Sequence, residues 1–128
     1  MKLEDQVVSL ELAKRLKEIG VKQESAFYWF EGVNEIGLVD RAYAWPPKEK
    51  HTAAFTVAEL GEMLPQTFID KSDDGQYFAQ VNIFKQYSNW AICYETSKRR
   101  VCTAEMETEA DARAKMLIYL IEQGIVKP

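Results

Sequence analysis

The sequence has few of the residue types and none of the common motifs on which catalytic sites are built. It contains one histidine and two cysteines in 128 residues. It also lacks a glycine-rich phosphate loop, an H-E-x-x-H zinc motif and a G-x-S-x-G nucleophile motif. His51 follows two prolines in a charged segment, so we interpret it as a solvated loop residue. No set of residues predicts a named reaction, and we expect neither enzyme activity nor a cofactor.

The chain has no excess of basic residues and no long hydrophobic run. It carries 16 Lys and Arg against 20 Asp and Glu, a formal net charge of −4. This balance argues against a nucleic-acid partner, which needs concentrated positive charge. Lys98, Arg99 and Arg100 are the local basic feature that keeps this alternative open. Without a run long enough for a membrane span or a secretion signal, we expect a cytoplasmic protein with no membrane partner.

The composition fits one folded domain. Hydrophobic residues make up 47% of the chain and charged residues 28%, which is the balance of a globular protein. A chain of this length can bury one core but not two. We therefore predict a single α+β domain over residues 1–128. Its antiparallel sheet, formed by an N-terminal hairpin and a three-stranded meander, is packed by N-terminal, short central and C-terminal helices.

Three segments show the apolar spacing of amphipathic helices. They cover residues 9–19, 56–64 and 108–123. Gly20 predicts a left-handed cap at the end of the first helix. Thr56 and Glu59 have the T-x-x-E spacing of a capping box, and Thr108 with Asp111 repeats this arrangement at the last helix. We expect the last helix to pack on the apolar face of the meander.

Alternating and aromatic residues separated by turn residues predict the strands. The hairpin has strands at 25–31 and 36–45, and the meander has strands at 76–85, 90–95 and 100–105 with turns at 73–75, 87–89 and 97–98. Uninterrupted alternation gives an apolar meander face. It comprises Tyr77, Ala79, Val81, Ile83, Trp90, Ile92, Tyr94 and Val101. The other face is mixed and comprises Phe78, Gln80, Asn82, Phe84, Ala91, Cys93, Glu95, Arg100 and Cys102.

The cysteines and aspartates do not form a predicted metal site. Cys93 and Cys102 lack C-x-x-C spacing, and one histidine cannot complete a four-ligand zinc site with them. Asp70, Asp73 and Asp74 lack the D-x-D-x-D-G spacing of a calcium loop, so we interpret them as a solvated turn. The meander register places the two thiols opposite each other, as it places Glu95 opposite Arg100. A redox-sensitive crosslink is therefore an alternative to two free, buried thiols.

The most suggestive feature is an excess of aromatic residues in the hairpin. Residues 27–30 are all aromatic, and a strand points alternate side chains to opposite faces. On the partner strand, Arg41, Tyr43 and Trp45 share one side. Aromatic rings with an arginine are typical of protein-binding hot spots and of base-stacking surfaces, unless a second layer covers them. The candidate binding residues are Tyr28, Trp29, Arg41, Tyr43, Trp45, Lys98, Arg99 and Arg100.

Three segments at both ends and in the middle of the chain resemble a widespread family of small phage and prophage proteins of unassigned function. They read LELAKRLKEIGVKQESAFYWF, FTVAELGEMLP and TEADARAKMLIYLIEQG. These segments contain helix caps and the apolar faces of helices but no catalytic motif, so the resemblance implies no catalytic or binding residues. It implies a mobile-element origin and a bacterial cytosol.

We therefore expect a noncatalytic phage-type binding protein whose partner is a host protein, for example a defence effector that the phage counteracts. Two alternatives stay open beside the nucleic-acid partner. One is a homo-oligomer that binds a small nucleotide-like molecule between aromatic rings. The other is an enzyme with a carboxylate and tyrosine site that matches no motif.

Overall fold

The computed structural model describes residues 2–71 and 75–128, and it arranges them in five helices and two antiparallel sheets. The helices are α1 (Leu3–Gln6), α2 (Leu10–Glu18), α3 (Arg41–Ala44), α4 (Val57–Met63) and α5 (Glu109–Glu122). The strands are β1 (Phe27–Glu31), β2 (Ile36–Asp40), β3 (His51–Ala53), β4 (Thr67–Asp70), β5 (Tyr77–Gln86), β6 (Asn89–Glu95) and β7 (Arg100–Met106). The predicted α+β class is confirmed, and α2, α4 and α5 match the three predicted helices to within one residue at each end.

The first sheet has the strand order β2-β1-β3, so the predicted hairpin supplies two of its three strands. The second hairpin strand is shorter than predicted, because β2 ends at Asp40 and residues 41–45 do not continue it. The third strand contains His51, and its assignment to a solvated loop is therefore wrong. The His51 ring is partly buried, with its centroid 5.4 Å from that of Phe30. Packing against the aromatic residues of β1 thus orders a segment that looked like a loop.

The second sheet has the strand order β4-β5-β6-β7. Its last three strands are the predicted meander, and β4 is an additional edge strand that pairs with β5. Val81 lies opposite Tyr94, as expected for the apolar face. Asp73 and Asp74, and with them all of the predicted turn at 73–75 except Gly75, fall outside the described ranges. Asp70 is the last residue of β4 and is buried, so its interpretation as part of a solvated turn is wrong.

A β-bulge in β7 changes the face on which Cys102 lies. Glu95 lies opposite Arg100, as expected. The next pair is Tyr94 with Cys102, because Val101 is an extra residue in β7. Val101 packs against the core, as expected. Cys102 shares the core-facing side of its partner, so its prediction on the mixed face is wrong.

Helix α5 lies at the centre of the core. It packs across β6 and β7 on one side and against α2 and α4 on others, so the predicted packing on the meander is confirmed. Its buried side chains are Ala110, Ala112, Ala114, Met116, Leu117, Ile118 and Leu120. Full burial of one such large apolar side chain stabilises a fold by roughly 1.5–3 kcal/mol. A helix that is apolar on most of its surface has to be enclosed in this way.

Glu59 connects α4 to the start of the first sheet. The predicted capping box is present: the Thr56 hydroxyl accepts a hydrogen bond from the Glu59 amide at 3.2 Å. In return, the Glu59 carboxylate accepts one from the Thr56 amide at 2.9 Å. The same carboxylate accepts hydrogen bonds from the Ser25 hydroxyl at 2.8 Å and the Ala26 amide at 3.1 Å. A motif that predicts a helix start therefore also anchors the chain that enters β1.

We expect Glu59→Ala to lower the free energy of unfolding by about 2–3 kcal/mol, because it removes hydrogen bonds from three donors to one carboxylate. Urea unfolding followed by circular dichroism measures the change. The matched control is Glu62→Ala, at an exposed position of the same helix, where we expect a change within about 0.5 kcal/mol. Equal effects of the two substitutions would contradict the anchoring role.

Candidate functional site

The short helix α3 brings together three residues selected from the sequence. Arg41 and Tyr43 lie within it, and Trp45 is its C-terminal cap. The helix forms because the Asp40 carboxylate accepts a hydrogen bond from the Ala42 amide at 2.9 Å, and two prolines follow that cannot continue it. The expected alternation of the three residues along a strand is therefore wrong.

Arg41, Tyr43 and Trp45 form an exposed cluster, which we call the α3 patch. The guanidinium carbon of Arg41 lies 4.1 Å from the centroid of the Trp45 ring, which is a cation–π contact. The same guanidinium lies 3.6 Å from the Glu24 carboxylate. Tyr43 is 83% exposed and Trp45 is 47% exposed. The patch thus presents two rings to solvent beside an arginine whose orientation is set by two contacts.

Two further exposed apolar side chains precede the α3 patch in the chain. Val33, in the turn between β1 and β2, is 91% exposed, and Ile36, at the start of β2, is 61% exposed. Single exposed apolar residues are common on protein surfaces. Here, however, four large apolar side chains lie outside the core within residues 33–45. The exposure of Val33 and Ile36 was not predicted, because turn and strand patterns do not show which edge of a hairpin stays open.

Tyr28 and Trp29 do not belong to this exposed surface. Tyr28 is fully buried; its hydroxyl donates to the Gln23 carbonyl at 3.0 Å and accepts from the Ser25 amide at 3.2 Å. Trp29 is partly buried against the core, and its Nε1 donates to the Val8 carbonyl at 2.8 Å. The selection of Tyr28 as a surface residue is wrong, because its side of the sheet, shared with its partners Val39 and Ala53, packs into the core.

The basic residues 98–100 lie on a different sheet, at the turn between β6 and β7. Arg99 lies 3.1 Å from the carboxylate of Asp70, which is itself buried. Arg100 lies 2.9 Å from Glu95. The Lys98 ammonium lies 5.0 Å from the centroid of a tyrosine ring. Each of these three cations therefore has a carboxylate or an aromatic ring beside it within the protein. Binding a nucleic acid needs cations that are available to its phosphates.

A groove of about 380 Å³ opens beside the C-terminal ends of α2 and α5. Aliphatic side chains line much of it, among them Val21, Leu117, Ile121 and Val126. None of the described residues that line it is aromatic. The groove therefore lacks the aromatic rings between which the alternative hypothesis places a nucleotide-like ligand.

Cys93 and Cys102 point to opposite faces of the second sheet. Cys93 lies opposite Thr103, and its Sγ donates to Oε1 of Glu95 at 3.3 Å. The Sγ of Cys102 lies 3.7 Å from the Sδ of Met116 in α5. Both thiols are free. The expected opposition of the two cysteines is wrong, because the bulge shifts β7 by one residue.

Burial keeps the thiols and one tyrosine protonated. Burial, together with the hydrogen bond to Glu95, raises the pKa of Cys93 to about 11. Burial also raises the pKa of Cys102 and that of Tyr94, whose hydroxyl donates to the Pro65 carbonyl at 2.6 Å. A protonated thiol is a poor nucleophile, so the environment of these groups does not activate them.

In residues 2–71 and 75–128, no group of three or more His, Cys, Asp or Glu side chains is placed to hold a metal ion. None of the helices in these ranges is both long and apolar enough to cross a membrane. No family model, curated protein or solved structure matches the chain.

We expect that mild oxidation of the native protein forms no intramolecular disulfide, because the two thiols lie on opposite faces of a sheet. Intact-mass measurement after diamide treatment checks this. The same treatment in urea is the control, since the unfolded chain can close the loop between Cys93 and Cys102. Loss of two hydrogens from the native protein, at the same rate as in urea, would contradict the described register.

The raised pKa of Cys93 implies a loss of stability in alkali. The folded state raises it from the ordinary value of 9.0 to about 11. The contribution of the Cys93 thiol to the free energy of unfolding is therefore complete below pH 9. It is lost as the pH rises to about 11, because the thiol of the unfolded chain has by then released its proton. We expect the difference in unfolding free energy between the wild type and Cys93→Ala to fall by about 2 kcal/mol across this range. Urea unfolding at both ends of it measures the difference, and a constant difference would contradict the shift.

Proposed function

We propose that this chain is a noncatalytic protein that recognises another protein through the α3 patch. The observation that carries the proposal is the 83% exposure of Tyr43 beside the stacked pair of Arg41 and Trp45. The energetic hot spots of protein interfaces are enriched in tryptophan, tyrosine and arginine. Covering two rings with a partner removes apolar area from water, which is the main favourable term in association.

The α3 patch is organised before a partner arrives. Asp40 caps the helix, and Arg41 is held between the Trp45 ring and the Glu24 carboxylate. A partner therefore loses less of its binding free energy to the ordering of these side chains. An arginine stacked on a ring can still direct N–H groups towards a carboxylate. We infer a partner surface with an apolar pocket for the rings and a carboxylate at its rim.

The environment of the nucleophilic groups supports the noncatalytic part of the proposal. Burial raises the pKa values of Cys93, Cys102 and Tyr94, which favours their unreactive protonated forms. The Nδ1 of His51 accepts a hydrogen bond from the Lys48 amide at 3.3 Å. These groups have structural partners instead of the arrangement of a nucleophile and a base that acyl-transfer chemistry needs.

The finer parts of the proposal concern the origin of the chain and its partner. We propose a phage or prophage protein that acts in the bacterial cytosol on a host protein, such as a defence effector. The support is the resemblance of the three segments named above, which contain the caps and apolar stripes of α2, α4 and α5.

The test is recovery of a stoichiometric partner with tagged protein expressed in a bacterial host. We expect Tyr43→Ser combined with Trp45→Ser to reduce recovery at least tenfold, because it removes both rings of the hot spot. The matched control is Tyr87→Asn, which removes a 94% exposed tyrosine from the turn between β5 and β6. Circular dichroism verifies that both variants fold. Undiminished recovery with the double variant would rule out the α3 patch as the binding surface.

Site-specific photo-crosslinking gives an independent measurement of the same contact. A photoreactive phenylalanine analogue replaces Tyr43 in one protein and Tyr87 in the other, since both positions are exposed. We expect the partner to crosslink from position 43 and not from position 87. Crosslinking from position 87 only would place the interface on the second sheet.

A further inference from the structure

The outer edge of β2 carries unpaired backbone groups. β2 is the end strand of its sheet, and on its other side no strand of residues 2–71 or 75–128 pairs with it. Hydrogen bonds from the Gly32 amide to the Glu35 carbonyl at 2.7 Å and from the Arg41 amide to the Ala26 carbonyl at 2.9 Å flank the β1–β2 ladder.

Because backbone groups alternate in direction along an antiparallel strand, these bonds determine which residues of β2 face outward. Gly37 and Val39 bond to β1, whereas the amides and carbonyls of Ile36 and Leu38 point away from the sheet. Such an edge is a template for pairing with another strand.

We propose that the chain forms a symmetric dimer in which β2 pairs antiparallel with β2 of a second copy, with Leu38 opposite Leu38 on the two-fold axis. The two three-stranded sheets then become one continuous six-stranded sheet. This inference does not depend on the proposed function, although Arg41 takes part in both.

Charge complementarity selects this register. Three two-fold registers, centred on residue 37, 38 or 39, keep the outward backbone groups of β2 opposite one another. Only the register centred on Leu38 places Arg41 of one copy opposite Glu35 of the other, and symmetry produces this pair twice. Arg41 is the first residue of α3, but its amide still bonds to the Ala26 carbonyl, so its backbone keeps the position that follows Asp40 beside β1. Opposed residues share a face, so each Arg41 can form an ion pair with Glu35 of the other copy. The other two registers place an uncharged residue opposite Arg41.

Apolar residues of the hairpin also meet in this register, in which Ile36 lies opposite Asp40. The register centred on Gly37 would place Ile36 directly opposite Leu38, so the ion pairs, and not the apolar contacts, select the register centred on Leu38. Ile36 of one copy lies diagonally beside Leu38 of the other, on one face of the extended sheet. The β1–β2 turn of one copy, which carries the 91% exposed Val33, comes alongside α3 of the other. Pairing thus covers the exposed apolar side chains that lead into the α3 patch.

The edge of β4 provides a contrast within the same molecule. There the Val81 amide bonds to the Gln66 carbonyl at 3.0 Å, so Thr67 and Ile69 face outward. A two-fold register centred on Ile69 would place Thr67 opposite Lys71, with no ion pair. The residues of β2 between Ile36 and Val39 include none of the lysines or prolines that commonly protect a sheet edge.

Sedimentation equilibrium of the full chain from about 1 µM to about 1 mM tests the dimer. We expect a monomer–dimer equilibrium that Leu38→Pro abolishes, because proline removes an outward amide that the folded monomer does not use. The matched control is Ile69→Pro, which removes an outward amide from the other edge and should leave association unchanged. Circular dichroism establishes that each variant is folded.

Charge reversal tests the register even if a proline variant does not fold. We expect Arg41→Glu and Glu35→Arg each to weaken association about tenfold, because each replaces two attractive pairs with two repulsive ones. The double variant should restore association to near the wild-type level. A monomer throughout the range, a dimer that Leu38→Pro leaves intact in folded protein, or a double variant as weak as either single one would overturn the proposal.

Discussion

The burial of α5 is the constraint on which the rest of the structure depends. This helix is apolar on most of its surface, and no single sheet or helix can cover it. The second sheet covers one side through β6 and β7, while α2 and α4 cover others. A hydrogen bond from the Ser9 amide to the Asp111 carboxylate, at 2.7 Å, joins the start of α2 to the start of α5. One core therefore holds both sheets.

This core determines which aromatic residues stay outside. Tyr28, Phe55 and Tyr94 are fully buried, and the hydroxyls of both tyrosines have backbone partners. Once Asp40 ends β2 and starts α3, the chain turns away from the sheet, and Tyr43 projects into solvent. The α3 patch is thus a consequence of a helix cap that the strand pattern did not reveal. The proposed partner surface follows from this one turn of the chain, whereas the edge of β2 is open because β2 is the end strand of its sheet.

The sequence predicted the features that arise from local periodicity and capping. The bounds of α2, α4 and α5, the capping box at Thr56 and the meander were all predicted, because each depends on residues close together in the chain. The predictions were wrong where a single residue changes the course of the backbone. Val101 introduces a bulge that moves Cys102 to the other face, and Asp40 starts a helix where alternation predicted a strand. Tyr43 of the candidate site was identified from the sequence. Its exposure could not be predicted, because it depends on tertiary packing, which the spacing of residues along the chain does not reveal.

Native-state hydrogen exchange tests most directly whether α5 unites both sheets in one core. We expect the slowest amides of α5, β1 and β6 to exchange with one common free energy of opening and one common denaturant dependence, as parts of a single cooperative unit. Amides of α3, a four-residue helix that contributes only Ala44 to that core, should exchange through smaller local openings. If β1 and its neighbours opened at a lower free energy while α5 and the second sheet stayed protected, the two sheets would be separate units and the account would be contradicted.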